Sequence, residues 1–182
     1  MKIKMKKMLF LLPIFLLLIF VGCSSNKLTK YNKQIEKSIE TVGVVSSKIE
    51  MKDSGVLIYE YLKVESVTED KLNVKIDISS LDETFTFKKQ SSTETVEDLN
   101  RNSFLPFKLK DDLLDDLMIE NDTLTCTVSK ENIGKLYALP DFDIDGNAEL
   151  VLNFENEIII NITCVFKTTS GKDVIIHTEY SY

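Results

Sequence analysis

The side chains able to do chemistry are few and widely spaced. Cys23 carries a nucleophilic thiol at the junction between a long apolar run and a polar stretch, directly after the small residue Gly22. Asp141, Asp143 and Asp145 alternate ahead of Gly146. Carboxylates at that spacing can converge on a hard cation, because a glycine permits the sharp turn that aims them inward. His177 is the one imidazole, so a Ser-His-Asp or Cys-His arrangement would have to use it. Its place between Ile176 and Thr178, in phase with Asp173 and Glu179, predicts that it faces solvent. Cys126 and Cys164 fall in the apolar phase of strand-like runs. There they read as small buried hydrophobes or, outside the cytoplasm, as a possible disulfide.

Each of these features has a plainer reading beside it. The run from Asp141 to Gly146 resembles the first half of an EF-hand calcium loop, which implies a weak calcium site at Asp141, Asp143 and Asp145. Its twelfth position, however, is Leu152 where that family has glutamate. The alternative is a tight turn at Asp145-Gly146 that leads into a strand. Asp111-Asp112 and Asp115-Asp116 could supply paired carboxylates for acid–base work. On an amphipathic helix they would form its wet face. Neither a G-x-S-x-G elbow nor a glycine-rich phosphate loop occurs, and two thiols lacking an imidazole partner make a poor zinc set. The expectation is a protein that is not an enzyme and has no cofactor beyond the possible weak calcium.

The amino-terminal residues carry an address. Lys2, Lys4, Lys6 and Lys7 precede an apolar run from Met8 to Val21, broken only by Pro13. That order is the layout of a secretory signal, and the run is shorter than the roughly 20 helical residues needed to span a bilayer. The run Phe20-Val21-Gly22-Cys23 resembles the lipobox of bacterial lipoproteins, with Phe20 where leucine is usual. The resemblance implies diacylglycerol attachment to Cys23 through a thioether, cleavage before it, and further acylation, for instance by palmitate. It therefore implies residues 1–22 as signal peptide, 23–27 as a lipidated tether, and 28–182 as a single extracytoplasmic domain on the cell membrane. An uncleaved signal-anchor helix is the alternative.

Removing residues 1–22 leaves 18 Lys and Arg against 29 Asp and Glu, a net charge of −11. Such a surface repels phosphate backbones, which disfavours nucleic acid, and it disfavours polybasic contact with anionic headgroups. The partners expected are thus the membrane through lipidated Cys23 and an unidentified envelope protein or hydrophobic ligand.

Hydrophobic spacing supplies the framework. Leu28, Tyr31, Ile35, Ile39 and Val42 recur at steps of three and four, one face of a helix that Gly43 would stop. The period then changes to two. Val45, Ile49 and Met51 lead to a turn at Asp53-Ser54-Gly55, a long apolar stretch runs from Val56 to Val67, and Leu72, Val74, Ile76 and Ile78 alternate with polar residues. Phe85 and Phe87 alternate with threonines. Gln90 to Ser103 is polar and predicts a loop, and Pro106 to Met118 predicts a short helix. Ser129 could cap a helix carrying Ile133, Leu136 and Tyr137, with Pro140 ending it. Ala148 to Phe154, Ile158 to Phe166 and Val174 to Tyr180 predict a C-terminal three-stranded meander.

These elements predict an α+β fold, an N-terminal amphipathic helix packed on an antiparallel sheet of about seven or eight strands. The expected function is a membrane-anchored binding lipoprotein. A carrier of a lipid or other hydrophobic ligand is the alternative, with a hydrolase a distant third. The element order and N-terminal lipidation are faintly similar to half-barrel lipid-carrier lipoproteins of the LolA and LprG type. That likeness implies a cavity lined by residues such as Phe85, Phe87, Phe154, Phe166 and Ile176.

Overall fold

The computed structural model describes residues 28–68, 71–97, 104, 109–136 and 143–182. Cys23, the signal segment and Asp141 lie outside them. Among the described residues, helix α1 covers residues 28–41 and nine strands follow in one sheet. They are β1 (Val44–Asp53), β2 (Val56–Thr68), β3 (Lys71–Leu81), β4 (Phe87–Val96), β5 (Asp115–Glu120), β6 (Thr123–Val128), β7 (Ile144–Glu155), β8 (Ile158–Thr168) and β9 (Asp173–Ser181). A short helix α2 (Lys130–Leu136) links β6 to β7.

The α+β expectation of seven or eight strands is therefore corrected to a sheet-dominated fold of nine strands. Two segments account for the difference: the strand begun by the alternation at Phe87 runs on past Gln90, and a further strand takes the place of an expected helix. The polar run from Gln90 predicts a loop, yet all ten residues of Phe87–Val96 pair with β3 in unbroken register. Threonine suits extended backbone, and an edge strand can be polar on both faces because neither face is buried. Asp115–Glu120 falls in the segment predicted to be helical and instead pairs with β6, preceded by a 3₁₀ turn at Asp111–Leu113. Leu114 is buried ahead of the strand and Ile119 packs on the core, a pairing the leucine spacing does not reveal.

The strand order is β4-β3-β2-β1-β9-β8-β7-β6-β5, with every pairing antiparallel. It consists of two meanders, β1–β4 and β5–β9, joined where the first strand meets the last. The join is reinforced at Gly43, whose N–H donates to Ser181 O at 2.8 Å while its carbonyl accepts from Val67 N at 2.8 Å. Tight hairpins set the register. Ser54-Gly55, Asn121-Asp122 and Asn156-Glu157 each form two-residue loops with both φ positive, the turn whose twist matches that of the flanking strands.

Cross-strand partners share a face, so the register assigns the two sides of the sheet. The inner face carries Leu124, Cys126 and Val128 of β6, Ala148, Leu150 and Leu152 of β7, and Ile162, Cys164 and Phe166 of β8. Nearly all have no exposed surface. Val174, Ile176 and Tyr180 of β9 continue it, so the expected C-terminal meander is present. One phase differs: a bulge beside Asn153 and Phe154 brings Ile159, and not Ile158 or Ile160, into the core.

Helix α1 lies across this face. Tyr31 packs on Phe154 with ring centroids 4.7 Å apart, Ser38 Oγ accepts from Ile159 N at 2.9 Å, and the helix ends beside Ser181. It thus passes over β7, β8 and β9 in turn. Ser38 can serve Ile159 because its own hydroxyl proton goes to Gln34 O at 2.6 Å. The connection from β4 to β5 adds Phe104, Leu109 and Leu114 to the same core. Asn32 clamps it: its amide donates to Leu109 O at 2.8 Å and accepts from Leu109 N at 2.9 Å. Ile133 of α2 completes the cover, and Asn132 and Ile133 donate to Ser129 O at the start of that helix.

Candidate functional site

The outer face of the sheet is polar and open. Opposing residues run across it in one row from Thr125 of β6 through Val151, Thr163, His177, Lys48, Leu62 and Asp77 to Ser91 of β4. Their even spacing follows from the pleat, which turns every second side chain outward. Four polar clusters sit along this face.

At one end, Thr123 Oγ1 donates to Asn153 Oδ1 at 2.8 Å, and Asn153 Nδ2 donates to Asn161 Oδ1 at 2.7 Å. This ladder links β6, β7 and β8. In the centre, His177 Nδ1 lies 2.9 Å from Thr163 Oγ1 and its Nε2 lies 3.3 Å from Glu179 Oε1. The imidazole is 38% exposed, as its strand phase predicts. A hydroxyl, an imidazole and a carboxylate in contact have the members of a nucleophile–base set. Thr163 and His177 are mid-strand residues of interior strands, whose backbone N–H groups are spent on the ladder and unable to receive an oxyanion.

The third cluster is charged, and the sequence reading did not single it out. Lys48 contacts Glu50 along its own strand and Glu60 of β2 at 3.0 Å, while Lys52 reaches Glu50 at 3.4 Å. The two carboxylates hold the Lys48 ammonium charged and push its pKa up, Glu50 first. Lys48 in turn pulls Glu50 down. Nearby, the Ser91 hydroxyl, with Lys75 at 3.2 Å and Lys89 at 3.3 Å, pulls Asp77 down to about 2. The signal that could have found both clusters is alternation of charge in the outward phase, Lys48-Glu50-Lys52 and Lys75-Asp77. Because each cation already faces a carboxylate, this surface can recognise a partner by matched hydrogen bonds and ion pairs more than by a long-range field.

The other candidates are dispersed. Asp143 precedes β7, its carbonyl accepting from Thr169 N at 2.8 Å, and Asp145 lies inside the strand opposite Lys167. Gly146 takes φ 75° where β7 slips against β8 between Asp145 and Glu149, and regular pairing resumes from Ala148 with β6 and from Glu149 with β8. Among the described residues no group of three His, Cys, Asp or Glu side chains could hold a metal ion.

Cys126 and Cys164 are free thiols buried on the inner face. Leu150 of β7 stands between them as the opposing residue of both, which sets them two strands, about 9–10 Å, apart. A disulfide needs α-carbons within about 7 Å, so the possible bridge is not formed. Burial pushes both thiols up to about 12. Asp111 and Asp112 lie on the 3₁₀ turn and Asp115 and Asp116 on β5, where Asp116 Oδ2 accepts from Thr127 Oγ1 at 3.2 Å.

The expected cavity lining is likewise divided. Phe154, Phe166 and Ile176 are core residues with 6%, 3% and 1% of their surface exposed. Phe85 and Phe87 lie at the β3–β4 hairpin, 84% and 45% exposed. Phe85 has φ 57°, held by Asp82, whose carboxylate accepts from Thr84 N at 2.8 Å and Thr86 N at 3.0 Å.

No protein-family model matches the chain, and no curated protein matches it. Among solved structures, a redesigned β-barrel, mFAP1, bound to DFHBI shares 11% identity over 79% of this chain and 98% of that one, at a TM-score of 0.24. A de novo designed fluorescence-activating β-barrel shares 8% identity over 81% of this chain and 99% of that one, at a TM-score of 0.25. At those scores the likeness carries no argument about fold or ligand.

Proposed function

We propose that the protein is a lipid-anchored lipoprotein on the extracytoplasmic face of the cell membrane, non-enzymatic, with its sheet domain serving as a binding module. The observation that carries this reading is the run Phe20-Val21-Gly22-Cys23 after a cationic and apolar leader, only five residues ahead of α1. Acylation of Cys23 would confine an acidic domain to the bilayer plane and raise its effective concentration near other envelope components. The open outer face, with its paired charges and hydrogen-bonding ladder, is the surface best suited to a folded polar partner. Among the described residues no helix is long and apolar enough to cross a membrane.

The carrier alternative draws less support, since Phe154, Phe166 and Ile176 fill a packed core. Intact-mass measurement of protein extracted from membranes tests the proposal. A chain starting at Cys23 with the added mass of acyl groups is expected. A chain that keeps Met1 and an unmodified Cys23 would overturn it. Cys23→Ala should move the protein out of the membrane fraction, with cleavage of residues 1–22 checked in the same sample.

A further inference from the structure

The two edges of the sheet differ in their readiness to pair. Strand β5 is six residues long, aligned with β6 at only four positions, bulged between Asp115 and Met118, and bent at Asp116 with φ 51°. Short, bulged and acidic edges resist further pairing. Strand β4 is ten residues long, unbulged, exposed along almost its whole length, and paired on one side alone. Its outward N–H and C=O groups form a regular template.

We propose that β4 is a homodimer interface, pairing antiparallel with β4 of a second copy to make one continuous sheet. A two-fold axis normal to the sheet keeps each face on its own side, so only residues of the same parity can oppose one another. Within that constraint the charges choose the register. Centred on Ser91, Lys88 opposes Glu94 at two symmetric positions on the inner side, and Phe87 opposes Thr95 twice on the outer side. Sliding the centre to Gln90 places Lys88 on Ser92 and Glu94 on Thr86. Sliding it to Ser92 places Lys88 on Val96 and Glu94 on Gln90.

Opposite charges directly across a pair stabilise it and like charges oppose it, so the Ser91-centred register is favoured. Lys88 is free to make the exchange, being 71% exposed with one surface contact, to Asp82 at 3.0 Å. With a single competent edge per chain, pairing closes at two copies and does not propagate into a filament. One strand pair buries less than a standard interface of about 1,600 Å², so the association is a weak, concentration-dependent one.

Sedimentation equilibrium of the full chain in detergent micelles tests this. A monomer–dimer equilibrium is expected that Lys88→Glu and Glu94→Lys each weaken about tenfold, through two symmetric pairs, and that the double exchange restores. Ser91→Cys should give a disulfide-linked dimer on mild oxidation, whereas Thr93→Cys, off the axis, should not. A chain that stays monomeric at every concentration overturns the proposal. So do single exchanges without effect, a double exchange that fails to restore association, or a bridge through position 93 in place of 91.

Discussion

Leu150 of β7 and Ile78 of β3 lie on the same face of one sheet, yet Leu150 has no exposed surface while Ile78 is half-buried. The difference extends to the strands around them. From β6 to β9 the inner face is roofed by α1, α2 and the β4–β5 connection, and the residues beneath are almost fully buried. From β2 to β4 the roof thins out. Leu72 and Val74 are still buried, Tyr61 and Ile76 are partly covered, and β4 is wet on both sides. Backbone pairing is unbroken from β2 to β4 and slips twice between β7 and β8 in the roofed half, so the regularity of hydrogen bonding does not set their relative robustness. Burial does, because a ladder bond contributes about 1 kcal/mol net while a buried aliphatic side chain contributes about 1.5–3.

The largest expected contrast comes from truncation. Leu150→Ala should lower unfolding free energy by about 3–4 kcal/mol, and Ile78→Ala by about 1 kcal/mol, in urea titrations. Equal losses would show that the β2–β4 half carries as much packing as the other. Thiol labelling sharpens the same comparison. With both pKa values raised to about 12 by burial, Cys126 and Cys164 should react with iodoacetamide only on global unfolding. Labelling under native conditions at the rate of an exposed thiol would show that the roofed half opens on its own.

The halves should also fail at opposite ends of the pH scale. Asp77 and Asp82 on the β3–β4 side are both held down at about 2 from the usual 3.8. Their contribution is present above pH 3.8 and lost as pH falls through about 2. The thiols, raised from 9.0, contribute fully below pH 9 and lose that contribution as pH rises through about 12. Amide exchange in β4 should therefore quicken between about pH 4 and pH 2, after correction for intrinsic exchange, and Asp77→Asn should flatten that response. An Asp77→Asn profile identical to the parent would remove this carboxylate from the account. The smallest effect lies in the turns. Glu157 holds φ 66° in the β7–β8 hairpin, and Glu157→Gly should raise stability by about 0.5 kcal/mol, visible as a shift in Tm.

The same contrast explains what can be read in the sequence. Alternation of apolar and polar residues reports one-sided burial. Where the roof is complete, as over Leu150-Leu152 and Ile162-Cys164-Phe166, the strands and their facing are legible, and so is the helical stripe of α1. Where no layer covers the strand, nothing constrains its side chains to alternate, and Gln90 to Val96 looks like a loop. Asp115–Glu120 misleads for a related reason: leucines at helical spacing serve a 3₁₀ turn, a buried Leu114 and a bulged edge. Of the candidate site, the solvent-facing phase of His177 is legible. The Lys48-Glu50-Lys52 alternation is legible too, but Glu60 is not, since it joins that cluster only through the β1–β2 register.

The join between β1 and β9 also bears on how the chain must be made. Translation delivers residues in order, so Val44–Asp53 emerges long before its neighbour Asp173–Ser181. Until that segment arrives, the β1 and β8 rims of the future seam have no partner to pair with, and α1 lacks one of the three strands it covers. A holding chaperone, or rapid delivery of the final segment, is what such a nascent molecule needs. Stalled or clipped products ending before Asp173 should be sticky, short-lived and prone to cross-pair with one another.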